Sequence, residues 1–258
     1  EYQASPMKKT MIMLYGTNTA VLDFDNFAQI ETMLDKAVTD LGCYVFVNFI
    51  NPIRHEAMKT YAYEIFSELG RVPDFSFHPM GTGGGVWGTW KGYNELAAMG
   101  VTDKVPHMVP VQPEAVCWLK RAVDSGAEVA EMYGDSTRTI AQSISGNSPL
   151  QGGRRLIRAV RESGGAAMAV SDDEILAAMV DLGHEGIGAE PSSASTVAAF
   201  KQAVKAGKIS SSDTVVCVIT GTAFKQPSVV EHIAALPKYT IRADVDQLKG
   251  LLVRLKLL

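Results

Sequence analysis

The chain has 258 residues, 47% of them hydrophobic, and a formal net charge of -4 from Lys+Arg 24 and Asp+Glu 28. That is enough to bury a large core, and it leaves no basic surplus to neutralise a nucleic-acid backbone. Cys43, Cys117 and Cys217 are far apart and form no Cys-x-x-Cys pair, which argues against a disulfide framework or structural zinc and fits a reducing, cytoplasmic compartment.

In chain order, Glu1 to Pro6 lacks the apolar stretch of a signal peptide, and no apolar run reaches membrane-spanning length. Asn26 with Gln29 forms a capping pair for a helix whose face carries Phe27, Ile30, Leu34, Val38 and Leu41. A strand is expected over Tyr44 to Ile50. A second helical face follows with Met58, Tyr61, Ala62, Ile65, Phe66 and Leu69. Further strands are expected over Phe75 to Met80, His107 to Gln112, Ala166 to Val170 and Thr214 to Thr220. Ser171 with Glu174 opens a helix with Ile175, Leu176, Met179 and Val180 inward, and Val245, Leu248, Leu252 and Leu255 mark a closing helix. Alternation of strand and helix predicts an α/β fold with an open, mostly parallel sheet and helices on both faces. The segment before Asn51-Pro52 holds too few elements for a domain of its own. Residues 1–51 are therefore expected to be the remnant of a small domain, and 52–258 the large one.

The run Met80-Gly81-Thr82-Gly83-Gly84-Gly85-Val86 falls between a strand and a helix carrying Val86, Trp90, Tyr93 and Leu96. Glycines let consecutive N–H groups turn toward one point, and the helix N-terminus behind them adds positive potential. The loop therefore suits a phosphate dianion. A plain strand-to-helix turn is the alternative. A dinucleotide site is a rival, because Gly83, Gly85 and Gly88 match G-x-G-x-x-G. That fingerprint wants an acidic residue about 20 residues on, at the end of the next strand. Here the next strand ends later, at Gln112-Pro113-Glu114. A P-loop is excluded, because no Lys-Ser or Lys-Thr pair closes the run.

Residues 47–60, the glycine loop and the stretches 189–194 and 218–221 together resemble the threonine synthase group of the tryptophan-synthase-β-like, pyridoxal-phosphate (PLP) superfamily. Val47-Asn48-Phe49-Ile50-Asn51-Pro52-Ile53-Arg54-His55-Glu56-Ala57-Met58-Lys59-Thr60 is similar to the family's Asn-Ser-x-Asn-Pro-x-Arg-x-Glu-Gly-Gln-Lys-Thr signature. The glycine loop, Ala189-Glu190-Pro191-Ser192-Ser193-Ala194 and Val218-Ile219-Thr220-Gly221 resemble its later landmarks in the same order. Tyr15-Gly16 and Asp25-Asn26-Phe27 are similar to earlier ones.

The resemblance implies a three-layer PLP fold in which Gly81, Thr82, Gly83, Gly84 and Gly85 cradle the cofactor phosphate and the Thr220 hydroxyl faces the pyridine nitrogen. On its own, without the surrounding motif, Thr220 reads rather as a strand-end threonine bonded to its own backbone. Glu190 lies either near the cofactor ring or at the cap of the following helix. Asn48 and Arg54 match positions that bind the phosphate of O-phosphohomoserine, a task suited to a guanidinium's paired donors. The alternative for Arg54 is a solvated charge at a helix start. Phe49 stands where the family has a phosphate-binding serine, a change costing roughly 1.5 to 3 kcal/mol. Thr82 replaces a frequent asparagine but keeps a donor. Gly146-Asn147-Ser148-Pro149 departs slightly from the family's Gly-Asn-Pro.

The family's Ser-Phe-Lys-Asp-Arg-like motif, bearing the lysine that bonds PLP, and its Ser-Thr-Gly-Asn loop are absent from the 258 residues. The resemblance implies that both precede Glu1, so the chain is expected to be an N-terminally incomplete piece with no catalytic residue of its own. Lys59 and Lys91 lie in helical patterns without the desolvated or cationic setting a nucleophilic lysine needs. The implied parent is a lyase converting O-phosphohomoserine and water to threonine and phosphate. A serine or threonine dehydratase or a β-replacement lyase is the alternative, and a non-catalytic phosphate- or PLP-binding module is a third. Expected partners are an amino-acid substrate, a second copy in a homodimer or a complementing N-terminal fragment, with no metal, nucleic acid or membrane.

Overall fold

The computed structural model describes residues 6–22, 27–42, 51–234 and 239–258. Asn26, the expected strand Tyr44 to Ile50, Asn48 and Phe49 lie outside them. The helices are α1 (Pro6–Leu14), α2 (Phe27–Leu41), α3 (Pro52–Met58), α4 (Thr60–Leu69), α5 (Gly84–Ala98), α6 (Trp118–Asp124), α7 (Arg154–Glu162), α8 (Asp172–His184), α9 (Pro191–Lys205), α10 (Pro227–Ile233) and α11 (Val245–Arg254). The strands are β1 (Phe75–Pro79), β2 (His107–Pro113), β3 (Met168–Val170) and β4 (Val215–Cys217).

The four strands form one sheet in the order β3-β2-β1-β4, and every pairing is parallel. Parallel strands need both faces covered. One face packs Phe77, Val109, Val111 and Val170 against Ile175 and Met179 of α8 and Ala194, Ala198 and Ala199 of α9. The other face packs Met108 and Met80 against Val86 and Trp90 of α5, Trp118 and Leu119 of α6 and Leu156 and Ile157 of α7. Met108 and Val109 point to opposite layers because side chains alternate along a strand. The expected three-layer α/β arrangement is present, and the sheet is its middle layer.

Two expected strands are shorter than their sequence patterns. β3 spans only Met168–Val170, the stretch that finds partners in Val111–Pro113 of β2. β4 ends at Cys217, although Val218 N still donates to Phe77 O at 3.0 Å. The next amides turn away, because Thr220 N and Gly221 N donate to Ser193 Oγ of α9 and not to a neighbouring strand.

Helix signals in the sequence are met where a side chain completes the helix end. Ser171 Oγ accepts from Glu174 N at 3.3 Å, and Glu174 Oε2 accepts from Ser171 N at 2.8 Å, a complete capping box. Glu174 Oε1 also accepts from Gln202 Nε2 at 2.7 Å, which ties α8 to α9. Ser171→Ala is expected to lower stability by about 1 kcal/mol, measured as a shift in the urea midpoint at unchanged slope.

Helix α5 packs against α3 and α4 at very short range. A Cβ at Gly88 would lie 2.3 Å from Met58 Cβ, so any side chain there would push α3 away. The third glycine of the literal G-x-G-x-x-G match thus serves helix-to-helix contact.

Candidate functional site

β1 carries the chain from the sheet interior to its C-terminal edge, where Met80 N still donates to Val111 O at 2.8 Å. The backbone then leaves the sheet as the glycine loop and re-enters regular structure at Gly84. Gly83 makes the change of direction possible with φ of 86° at the α5 N-cap. A Cβ there would sit 2.3 Å from Leu156 Cδ1. No side chain caps α5, and its first turn contains no acidic residue. Its leading amides therefore keep their positive end for another acceptor.

Gly81, Thr82, Gly83, Gly84 and Gly85 line a cavity of about 520 Å³. Arg54 of α3 and Thr220, just past β4, line the same cavity. Four sequence-distant segments, counting α9 through Ser192, thus converge at the C-terminal edge of the parallel strands. That edge is where open α/β sheets bind ligands. Asn51 helps aim α3, because its side chain accepts from Ile53 N at 2.9 Å and Pro52 occupies the first turn.

Thr220 Oγ1 lies 3.1 Å from Ser193 Oγ. Glu190 holds the N-cap position of α9, where its carbonyl accepts from Ser193 N and Ala194 N at 2.9 and 3.0 Å, but its side chain makes no capping bond. The carboxylate is instead buried beside Gly221. Its Oε2 is 3.5 Å from Lys8 Nζ of α1, and Lys8 also hydrogen-bonds Ser143 Oγ at the cavity wall.

Lys59 and Lys91 are both committed elsewhere. Lys59 Nζ lies 2.5 Å from Glu56 Oε2 and 2.7 Å from Glu95 Oε2, and Lys91 Nζ lies 2.7 Å from an oxygen of each. Hydrogen bonding to Glu56 and Glu95 holds the Lys59 ammonium well above its ordinary pKa. Hydrogen bonds from Lys59, Lys91 and the Tyr63 hydroxyl pull Glu95 down to about 2. A protonated amine has no lone pair to offer a carbonyl.

His78 is a further titratable group close to the site. It lies on β1, two residues before the loop begins at Met80, and burial alone pushes its imidazole down to about 4. A ring nitrogen is 2.9 Å from Ser76 Oγ. Its ring meets the edge of Tyr61 at 6.1 Å between centroids, and Tyr61 also lines the cavity.

All the described residues that the sequence points to, Gly81 to Gly85, Thr220 and Arg54, meet at one cavity, while Asn48 lies outside the described residues. Sequence reasoning misses Tyr61, Ser143 and Ser192 as wall residues. Tyr61 reads as core because its helical spacing is the core spacing. Ser143 sits in a short turn with no periodic signal, and Ser192 reads only as part of a helix start.

The donor set suits a phosphate monoester carried on a flat heteroaromatic ring. The cavity's size falls within the usual range of ligand pockets, about 300 to 1,000 Å³. The glycine loop offers backbone donors, and the Thr220 hydroxyl stands elsewhere on the wall. The residues fit such a group.

Comparison with known proteins agrees. Residues 1–221 match the family model described as pyridoxal-phosphate dependent enzyme. The threonine synthase of Methanosarcina acetivorans is 38% identical over 205 residues, covering 79% of this chain and 50% of that protein. That of Methanocaldococcus jannaschii is 32% identical over 250 residues, covering 96% and 60%. This chain thus spans about half the length of such relatives. Among solved structures, processed threonine deaminase isoform 2 from Solanum lycopersicum aligns with a TM-score of 0.69 at 21% identity, covering 89% of this chain and 64% of that one. Serine racemase from Dictyostelium discoideum aligns with a TM-score of 0.65 at 22% identity, covering 86% and 66%. These two likenesses concern the fold. With its parallel sheet, its glycine-lined cavity and a family match over most of its length, the chain belongs to the pyridoxal-phosphate dependent enzymes.

Proposed function

We propose that this chain forms the cofactor-phosphate and substrate-anchoring part of a threonine synthase, which converts O-phosphohomoserine and water to threonine and phosphate. The observation that carries the reading is the convergence of Gly81 to Gly85, Thr220 and Arg54 on one cavity. Similarity to threonine synthases supports it.

In this reading Gly81 to Gly85 hold the PLP phosphate through backbone N–H groups and the α5 dipole. Bound PLP supplies a ring that accepts negative charge developing on substrate carbons. Thr220 meets the ring nitrogen with a neutral hydroxyl, and Arg54, with Asn48, clamps the substrate phosphate. Tyr61 and Ile144 help to shield the reacting groups from water. The amine that bonds PLP is proposed to come from a segment outside these 258 residues, on the same polypeptide or on a complementing N-terminal fragment. Residues 1–51 are proposed as part of a small domain and 52–258 as the large one, in a cytoplasmic homodimer. Among the described residues no helix is long and apolar enough to cross a membrane.

Phe49 favours a second reading, a serine or threonine dehydratase or a β-replacement lyase, whose substrate carries no phosphate. Phosphate release from O-phosphohomoserine, measured against ketoacid formation from threonine with the lysine-bearing segment present, separates the two. PLP binding with neither product would leave a non-catalytic module.

Arg54→Ala is expected to weaken O-phosphohomoserine binding about ten- to hundred-fold while PLP affinity changes less than about two-fold, as loss of a charged hydrogen bond implies. Calorimetric titration with each compound checks it, and equal losses for both would remove Arg54 from the substrate site.

A further inference from the structure

We infer that the charge ring of Glu56, Lys59, Lys91 and Glu95 positions Arg54, with Glu95 as the positioning residue that sets where the guanidinium stands relative to the glycine loop. The inference rests on the proposed substrate site and specifies what holds its arginine in place.

Arg54 stands on a helix that is weakly anchored by itself. α3 has seven residues, and His55 is its one buried residue. A helix so short has little stability of its own. Its place therefore depends on what it leans on, and that is α5. A Cβ at Gly88 would lie 2.3 Å from Met58 Cβ, and one at Gly92 would lie 2.8 Å from both Ala62 Cβ and Lys59 O. Lys59 keeps helical φ and ψ of -63° and -24°, so α3 runs on into α4. The contacts advance by four residues on each side, from Met58 to Ala62 and from Gly88 to Gly92, so the two segments run parallel. One step back along both brings Arg54 level with Gly84, and both line the cavity.

Contact at the glycines sets how deep α3 sits on α5, and the charges tie its C-terminal end to one place along α5. Lys59 Nζ pairs with Glu56 and Glu95, and Lys91 Nζ pairs with the same two carboxylates, with all four separations between 2.5 and 2.7 Å. The Lys59–Glu95 and Lys91–Glu56 pairs cross from one segment to the other, which closes the ring. The Tyr63 hydroxyl adds a third donor to Glu95 at 2.6 Å. A single exposed pair contributes little, whereas a closed network restrains the helices that carry it.

None of the four charged residues lines the cavity, while Arg54 and Met58 of α3 do. An effect of the ring on a ligand therefore passes through α3. Paired hydrogen bonds from a guanidinium to a phosphate depend on distance and angle together, so a slide of about 1 Å in α3 is enough to spoil them.

The test is a double-variant cycle read by calorimetric titration with O-phosphohomoserine and with PLP. Glu95→Lys should weaken O-phosphohomoserine binding about tenfold while PLP affinity changes less than about two-fold. In an Arg54→Ala background the same change should cost less than about two-fold, because the group through which Glu95 acts is gone. Reversing the whole ring, with Glu56→Lys, Lys59→Glu, Lys91→Glu and Glu95→Lys together, keeps the alternation of charge and should return affinity to within about three-fold of the original. Glu95→Gln, which keeps size and shape, should show the same pattern at smaller amplitude and serves if the lysine variant does not fold. A merely structural role for Glu95 would lower both affinities and add to the loss from Arg54→Ala.

No loss in either Glu95 variant, losses that add to that of Arg54→Ala, or a reversed ring that stays weak would overturn the inference. The substrate site stands in those cases if Arg54→Ala alone weakens O-phosphohomoserine binding. If the unaltered chain binds PLP but not O-phosphohomoserine, the substrate site and the inference fall together.

Discussion

Gly83→Val is expected to reduce PLP affinity at least about a hundredfold while leaving affinity for pyridoxal, which lacks the phosphate, within a few-fold of the original. Gly83 has φ of 86°, a region in which an L side chain costs roughly 1 to 2 kcal/mol and a β-branched one more. The new Cβ would also start 2.3 Å from Leu156 Cδ1, and overpacking of a filled core costs typically about 1 to 3 kcal/mol. Both strains are relieved by rotating the 83–84 peptide, which moves the leading amides of α5 off the anion. Adding Leu156→Ala relieves the contact but not the dihedral, so the double variant should recover only part of the lost affinity. Parallel titrations with PLP, pyridoxal and inorganic phosphate decide the matter. Equal losses for PLP and pyridoxal would show that the loop shapes the cavity without holding the phosphate.

The second large effect is expected at acid pH. His78 is buried as the neutral imidazole, with its pKa lowered from 6.5 to about 4 by desolvation. The unfolded chain takes up a proton near 6.5, while the folded chain resists until about 4. Between those values the unfolded state binds more protons, so stability falls as pH falls. The contribution is fully present above pH 6.5 and is lost by about pH 4. The shift corresponds to about 3 kcal/mol. Urea denaturation of the chain at several pH values across that window should show this loss, and His78→Gln should flatten the slope even if it lowers stability at neutral pH. Protonation of His78 should also disturb the site, because His78 packs against Tyr61 and lies two residues before the loop begins at Met80. An unchanged slope in the glutamine variant would assign the acid sensitivity to other groups.

The glycine loop is legible in the residue order alone because its chemistry is local. Four glycines between a strand pattern and a helix pattern leave few uses, and the backbone needs no distant residue to display its amides. The capping box at Ser171 and Glu174 is legible for the same reason, since both partners lie within one turn. Residues whose role comes from contact across the chain behave differently. Ser193 is visible in the sequence only as one serine of a helix start, yet its Oγ accepts from the amides of Thr220 and Gly221, 27 and 28 residues away. Lys8 carries no sequence signal at all, although it reaches Ser143 and Glu190.

By itself the sequence determined the α/β alternation, the phosphate loop, the family resemblance and the absence of the family's lysine motif. Each of these is written in residue types at short spacing, where period, turn chemistry and composition act directly. Only the tertiary structure decided that Arg54, the loop and Thr220 share a cavity, that Lys59 and Lys91 are paired with Glu56 and Glu95, and that Ser193 accepts from the amides of Thr220 and Gly221. Those properties depend on hydrogen-bond and charge partners brought together by the packing of α3, α5 and α9 around the sheet, and no spacing along a chain encodes which distant groups will meet.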